Sequence, residues 1–191
     1  MLFTFAPDEI SLPTMSTVSD ADILAVAQGR PDALRKLYEK TAKGVYAYAL
    51  SLLKNTHDAE DVCQETFLSI CANAGKYEPQ GKPMAWIITI AKKHALTVLR
   101  KEKGKTYIEE AEKTNADAFA KTENTEQRLL LRATLDILND DERQIVMLKA
   151  VVGMKAHEIG KIVGAPLNTV LSKYNRALKK MRLYIEKEDG K

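Results

Sequence analysis

Cysteine and histidine are scarce in this chain, which limits the metal and redox chemistry open to it. Only two Cys and three His occur among 191 residues. Cys63 and Cys71 fall on one apolar stripe of a helical pattern, which predicts two buried, free thiols in a reducing cytoplasm. Together with the distant His57 they supply too few ligands for a zinc site. We therefore expect no metal and no cofactor.

Long hydrophobic runs are also absent. The longest apolar stretches are interrupted by Lys within a few residues, so none reaches membrane-spanning length. The apolar start, Met1 to Phe5, lacks the basic residues of a signal peptide. The chain shows no carboxylate cluster, nucleophile arrangement or phosphate-binding loop of the kind that enzymes use. These absences predict a cytoplasmic protein that is not an enzyme and is not inserted in a membrane.

Charge is distributed in blocks, although the net charge is only +3. Residues 76–105 carry eight Lys or Arg against two acidic residues, and residues 125–191 carry thirteen against nine. Residues 106–124, between them, carry two basic and five acidic side chains. Two basic blocks around an acidic spacer indicate two nucleic-acid footprints on one chain.

Helical spacing of apolar residues dominates the pattern, and no useful strand-like alternation appears. We predict an all-α protein with two small helical domains, residues 19–104 and 125–187, joined by an acidic linker over 105–124. Asp32 is expected to cap the long second helix. Residues 1–18 form an N-terminal extension, of which 1–14 are either disordered or follow from a misplaced translation start, and residues 188–191 form a tail.

Residues 156–177 read as a helix, a Gly-containing turn and a second helix opened by Pro166, a helix-turn-helix. The second helix carries many Lys and Arg and no acidic residue before Glu186, which suits the major groove of DNA. Its best base-edge candidates are Asn168, Thr169, Ser172 and Lys173, and its phosphate candidates are Arg176, Lys179 and Lys180. Leu171 cannot donate a hydrogen bond, so it either packs on a thymine methyl group or faces the protein core.

Two features of the first domain suggest further contacts. A helix over 58–67 carries an acidic face, and its residues alone leave open whether this face binds a partner or is only solvated: Asp58, Glu60, Asp61, Gln64 and Glu65. A basic stretch with interleaved aromatics follows and suits a groove that tracks a nucleic-acid strand: Lys76, Tyr77, Lys82, Trp86, Lys92, Lys93, Arg100 and Lys101. The Trp86 indole itself is more readily explained as a core anchor.

Over residues 20–187 the chain resembles bacterial sigma factors of the extracytoplasmic-function subgroup. The resemblance rests on the run Asp58 to Phe67, on Trp86-Ile87 with Ile90-Ala91, and on the module from Leu135 to Arg182. It implies that the acidic face binds core RNA polymerase and that the basic stretch recognises and melts the minus-ten element. It further implies that the loop from Gly75 to Pro83 supplies a pocket for an unstacked base, that the helix-turn-helix reads the minus-thirty-five element, and that an anti-sigma factor controls the protein.

An alternative remains open on the residues alone. A helix-turn-helix regulator with a sensing N-terminal domain would bind duplex DNA without polymerase, usually as a dimer on a two-fold site. An enzyme acting on nucleic acid is disfavoured, because the residues that such chemistry needs are missing.

Overall fold

The computed structural model describes residues 18–104 and 133–189. Within these ranges the chain forms helices and turns and no strand. Seven helices are named here in chain order: α1 Asp20–Ala27, α2 Ala33–Leu53, α3 Thr56–Asn73, α4 Pro83–Gly104, α5 Asp140–Val146, α6 Ala156–Val163 and α7 Leu167–Asp189. Residues 133–136 are also helical, and short helical turns cover Ala74–Lys76 and Met147–Val151, the latter a π-type turn. No helix in the described ranges combines the length and apolarity needed to span a bilayer.

The first domain is a bundle in which α2, α3 and α4 pack together and α1 closes one end. Its apolar residues recur at helical spacing, so each helix turns one stripe inward. Fully buried members include Ile23, Leu37, Val45, Tyr48, Ile70, Ile87 and Ile88. This core holds the long helices α3 and α4 side by side and places the segment that joins them, residues 74–82, at one end of the bundle.

Two local details differ from the sequence predictions. Asp32 precedes α2 in the left-handed region, with φ of 60°, and makes no capping hydrogen bond; its carboxylate instead lies 3.4 Å from Arg35 Nε. Cys63 is buried, but Cys71 is exposed, so the prediction of two buried thiols was wrong for Cys71. Successive helical residues point about 100° apart, and Ile70, not Cys71, occupies the inward direction at this turn.

The second domain packs α5, the π-type turn and α6 against α7. Buried apolar residues line the contacts: Leu135, Leu138, Ile145, Met147, Leu148, Ile159, Val170 and Ala177. The N-terminal extension, the acidic linker and the start of the second domain fall mainly on residues 1–17 and 105–132, outside the described ranges.

Candidate nucleic-acid interface

A tight turn fixes the recognition helix α7 relative to α6. Gly164, at the end of α6, has φ of +70°, a conformation that glycine adopts without strain. The Ala165 amide donates to the Gly160 carbonyl at 2.9 Å. A Cβ at Gly160 would lie 2.7 Å from the Ala165 carbonyl oxygen, so only glycine fits where the chain folds back. The turn therefore presents α7 at one defined angle.

One face of α7 is open to solvent near its start. Exposed residues recur there at steps of three and four, which places them on the same side of the helix: Asn168, Leu171, Ser172, Asn175, Arg176 and Lys179. Val170 and Ala177 lie fully buried on the opposite side. Leu171 is 38% exposed, which excludes the core-facing alternative. Asn175 was not among the residues predicted from the sequence, although its spacing from Leu171 and Ser172 places it on this row.

Two of the expected DNA-contacting lysines are engaged within the domain. Lys173 Nζ donates to Asp141 Oδ2 at 2.5 Å, and Lys180 Nζ donates to Glu142 Oε2 at 2.7 Å. The Glu142 side chain is 1% exposed, whereas that of Lys180 is 41% exposed. Lys180 therefore anchors α7 to α5. Thr169, another expected base contact, is only partly exposed. The phosphate contact of Lys180 remains a prediction, and its ammonium is held by Glu142 in this structure.

The charge on Glu142 is maintained despite its burial. Burial by itself raises the pKa of this carboxyl, but hydrogen bonds from Lys180 and the Asn139 amide, with the charges of Lys180 and Arg176, outweigh it and hold the pKa below its ordinary value. The buried carboxylate therefore joins the start of α5 to the middle of α7.

In the first domain, Asp20 fixes the segment between α3 and α4. Its carboxylate accepts a hydrogen bond from Tyr77 Oη at 2.5 Å and another from the Gly81 amide at 2.8 Å. The Tyr77 ring is buried and lies 5.0 Å from the Trp86 ring, centroid to centroid. Burial, followed by the bond to Asp20, raises the pKa of Tyr77. Tyr77 therefore holds the loop in place, and its ring is buried, whereas a direct DNA contact by Tyr77 remains a prediction.

Two cavities flank Trp86. One, of about 390 Å³, is bordered by Lys76, Lys82 and Trp86 on one side and by Glu158 and Lys161 of α6 on the other. The second, of about 320 Å³, has Trp86 and Ile90 among its apolar walls and these polar groups at its rim: Ser69, Asn73, Lys76, Lys93 and His94. Ser69 Oγ lies 2.8 Å from His94 Nε2, which orients both side chains at this rim.

The basic residues of this region do not all face solvent. Lys76, Lys93, Arg100 and Lys101 are exposed, and Lys82 and Trp86 are partly exposed. Lys92 is also partly exposed, but its ammonium donates to the backbone carbonyl of Ile162 in α6. Lys76, Lys82 and Trp86 therefore lie at one end of the bundle, whereas Arg100 and Lys101 lie about 20 Å further along α4 and Lys92 is used between the domains.

The acidic face of α3 is open. Glu60, Asp61, Gln64 and Glu65 are exposed, Asp58 is partly exposed, and Leu68 follows on the same side with 64% of its surface accessible. Among the residues that the structure describes, none forms an ion pair with Glu60, Asp61 or Glu65. Asn55 Oδ1 accepts from the Asp58 amide at 3.2 Å and fixes the start of the helix. The face therefore carries uncompensated negative charge.

An all-helical, two-domain fold with an exposed recognition helix and a basic, cavity-bearing bundle end defines a DNA-binding transcription factor. Residues 37–105 match the family model of sigma-70 region 2, and residues 128–181 match that of sigma-70 region 4. The RNA polymerase sigma factor CarQ of Myxococcus xanthus is 31% identical over 157 residues, which cover 81% of this chain and 90% of CarQ. The sigma factor SigK of Mycobacterium tuberculosis is 28% identical over 181 residues, covering 89% and 95% of the two chains. The chain belongs to the RNA polymerase sigma factors, in the extracytoplasmic-function group.

Solved structures share the fold. The sigma factor RpoE of Bartonella quintana, solved with the anti-sigma factor NepR, superposes with a TM-score of 0.65 at 20% identity, covering 81% of this chain and 98% of RpoE. CnrH, solved with the cytosolic domain of CnrY, gives a TM-score of 0.63 at 20% identity and covers 88% and 97% of the two chains. As a sigma factor, the protein binds core RNA polymerase and promoter DNA and directs transcription initiation at specific promoters.

Proposed function

We propose a division of this activity among three surfaces. The acidic face of α3 docks on core polymerase, the end of the first bundle around Trp86 holds the melted minus-ten strand, and α7 reads the minus-thirty-five duplex. The observation that carries the proposal is the cavity beside Trp86 and Ile90, with exposed Lys76 and Lys93 at its rim. A regulator that binds only duplex DNA has no need for such a cavity.

The cavity suits an unstacked base. Opening a promoter removes a base from its stack at a cost of about a few kcal/mol, which contacts to the extruded base must offset. Trp86 and Ile90 offer apolar surface to the base, while Ser69 and Asn73 offer hydrogen-bonding groups to its edge. Lys93 at the rim attracts the adjoining phosphate without reading sequence.

Reading of the duplex falls to the exposed row on α7. Amide side chains pair with adenine in the major groove, and hydroxyls accept or donate to several bases, which suits Asn168, Asn175 and Ser172. Leu171, with its exposed apolar side chain, suits a thymine methyl group. Arg176 and Lys179 lie further along the helix, where they contact phosphate and set the register.

The acidic face of α3 supplies charge complementarity for docking. Exposed carboxylates that form no ion pair with other described residues attract a basic surface and increase the rate of encounter. Leu68, beside this face, provides apolar surface whose burial stabilises the docked complex.

Control by an anti-sigma factor in the cytoplasm completes the proposal. It draws on RpoE and CnrH, of similar fold, which were solved with NepR and with the cytosolic domain of CnrY respectively. A partner of that kind would cover the polymerase-binding and DNA-binding surfaces proposed above for this chain.

Reconstituted transcription tests the division of labour. Purified chain is added to core polymerase on a duplex promoter found by mapping transcript starts, and on the same promoter with a premelted minus-ten region. Lys93→Ala should reduce initiation on the duplex and be partly rescued by premelting. Asp61→Lys should lose polymerase binding and therefore initiation on both templates. Initiation with Asn175→Ala should no longer depend on the sequence of the minus-thirty-five element.

Glu39→Lys, on the exposed side of α2, is the matched control for added positive charge and should retain initiation. If Lys93→Ala initiated transcription as well as wild type on both templates, the proposed melting surface would be wrong. Dimeric binding to a two-fold DNA site, with no gain of initiation by core polymerase, would instead support the regulator alternative.

A further inference from the structure

Glu142 carries a buried carboxylate oxygen that no donor satisfies. Its side chain is 1% exposed, and Oε2 accepts hydrogen bonds from Lys180 Nζ at 2.7 Å and from the Asn139 amide at 3.3 Å. Oε1 of the same carboxylate is buried and has no hydrogen-bond partner among the described residues. Native proteins satisfy nearly all such groups, because a buried charged oxygen without a donor is costly. The second oxygen of Glu142 is therefore an open acceptor beside the recognition helix.

Arg176 of α7 is placed to supply the missing donor. It lies one helical turn before Lys180, and residues four apart are displaced by about 40° around a helix. The line from Ser172 through Arg176 to Lys180 therefore runs from the exposed row of α7 to the side that faces α5. Burial by itself raises the pKa of Glu142, and the charges of Lys180 and Arg176 are among the interactions that outweigh it. Arg176 thus acts on the buried carboxylate and also borders the exposed row.

Other cations of the second domain are already engaged. Lys180 is bound to Oε2 of Glu142. Arg143 donates to two backbone carbonyls and to Asp140. Arg176, in contrast, is exposed and forms no ion pair within the part of the chain that the structure describes. Its donors are therefore available both to the open carboxylate oxygen and to a ligand in solution.

The guanidinium group suits such a double contact. It presents five N–H donors in a planar fork, so one edge binds a carboxylate while another binds a phosphate oxygen. A lysine ammonium at the same position would keep the charge but not the planar fork. The side chain of Arg176 can thus be held by the protein on one side and contact DNA on the other.

We propose that Glu142 is a positioning residue for promoter recognition: its second carboxylate oxygen holds the Arg176 guanidinium against a phosphate of the minus-thirty-five duplex. The proposal rests on the duplex-reading function proposed above for α7. DNA that covers this surface excludes water from both side chains, which strengthens the bond between them. The phosphate contact then fixes the register in which Asn168, Ser172 and Asn175 meet the bases.

The sign of one mutational effect separates this role from simple electrostatics. Glu142 is negative and lies close to a surface that binds phosphates, so removing its charge should by itself strengthen DNA binding. If Glu142 positions Arg176, removing the charge should instead weaken binding, because the guanidinium loses its fixed orientation.

Binding is measured with holoenzyme, reconstituted from core polymerase and each variant, on a labelled promoter duplex found by mapping transcript starts. Dissociation constants are determined over a range of salt concentrations, because losing one phosphate contact lowers the slope of log affinity against log salt by about 0.9. Arg176→Ala should weaken binding about tenfold and lower the slope by about that amount. Glu142→Gln should also weaken binding, by about three- to tenfold, and lower the slope. Asp136→Asn, which removes the same charge at an exposed residue, is the matched control and should not weaken binding.

A double variant distinguishes positioning from a purely structural role. If Glu142 acts through Arg176, Glu142→Gln/Arg176→Ala should bind no more weakly than Arg176→Ala alone. If Glu142 only holds α5 to α7, the two losses should add. Circular dichroism at the assay temperature checks that each variant is folded. Arg176→Lys gives a test that leaves Glu142 intact: it should keep the salt slope yet bind several-fold more weakly, because it lacks the fork.

The possible failures point to different proposals. Binding by Glu142→Gln as tight as wild type or tighter, additive losses in the double variant, or full affinity of Arg176→Lys would each overturn the positioning role. If Arg176→Ala bound with wild-type affinity and an unchanged salt slope, the phosphate contact proposed for α7 would itself be wrong.

Discussion

Within the described residues, the first domain buries almost only apolar groups, whereas the second buries the charged side chains of Glu142 and Arg143. The buried threonines of the first domain donate within their own helix, Thr41 to the Leu37 carbonyl and Thr66 to the Val62 carbonyl. In the second domain, Arg143 binds the carbonyls of Leu135 and Leu138 at 3.0 and 2.9 Å. The polar groups buried in the first domain are thus neutral, whereas the second domain buries charged groups that join separate segments.

Helix length explains the difference. Helices α2, α3 and α4 contain 21, 18 and 22 residues and offer long apolar stripes for packing. Helices α5 and α6 contain only 7 and 8 residues, too few to be stable alone or to bury much area. Ionic and hydrogen-bonded contacts with defined geometry therefore fix their orientation. The stability of the second domain therefore depends on a few polar residues more strongly than that of the first domain does.

Replacing Arg143 should give the largest effect. Arg143→Met removes two buried charged hydrogen bonds, to the carbonyls of Leu135 and Leu138, each contributing about 1.5–3 kcal/mol, and should destabilise the second domain by about 3–5 kcal/mol. Hydrogen exchange, read separately for amides of α5–α7 and of α2–α3, measures the change in each domain. Arg35→Met removes exposed ion pairs in the first domain and should cost less than about 1 kcal/mol. Equal loss in the two variants would show that the second domain does not depend on its buried charge.

The turn before α7 should give the next largest effect. Gly160→Ala drives a methyl group against the Ala165 carbonyl oxygen and should cost about 1–3 kcal/mol as the turn shifts. Gly75→Ala, where an added Cβ meets nothing within 4 Å, is the matched control in the first domain and should be nearly neutral. Urea unfolding gives both values. If Gly160→Ala had the same free energy of unfolding as wild type, the turn would accommodate the methyl group without cost.

Acid sensitivity should differ between the domains. The pKa of Glu142 is lower in the folded chain than its ordinary value of 4.5, so its contribution to stability is present above that value and is lost as pH falls through the folded pKa. Glu142→Gln should cost about 1–1.5 kcal/mol near neutral pH, the difference between charged and neutral hydrogen bonds. In this variant the stability of the second domain, measured by hydrogen exchange, should also depend less on pH in the acid range.

Lys180→Met is the complementary change. It removes the hydrogen bond and charge that offset the burial of Glu142, so acid loss of stability should begin at a higher pH than in wild type. If Glu142→Gln and wild type lost stability over the same pH range, the buried carboxylate would not be the source of the acid sensitivity.

Helix caps should give the smallest effect. Asn139 accepts from the Glu142 amide at 2.9 Å in a reciprocal capping box, whereas Asn55 makes a single longer bond of 3.2 Å. Alanine at either cap should cost about 0.5–2 kcal/mol, with the larger value at Asn139 because α5 is short. Thermal unfolding of the two variants measures the difference, and a larger loss at Asn55 would reverse the comparison between the domains.

Much of the fold followed from local pattern. Apolar spacing identified α2, α3 and α4, and Gly164 with Pro166 located the turn of the helix-turn-helix within a residue, α7 beginning at Leu167. The acidic face of α3 and the exposed row on α7 follow from the same spacing. The individual site assignments remain predictions that the experiments above test. Cys71 shows the limit: it lies so close to the apolar stripe that pattern alone placed it inside.

The sequence by itself determined which helices form, which of their faces are apolar, and where positive and negative charge collect, because these depend on residues a few positions apart. Only the tertiary structure decided which polar side chains are engaged by partners on other elements. Tyr77 meets Asp20, Lys173 meets Asp141, Lys180 meets Glu142 and Lys92 meets Ile162. Each partner lies on another element, and whether a long side chain reaches it depends on how helices pack. Helical periodicity carries no information about that packing.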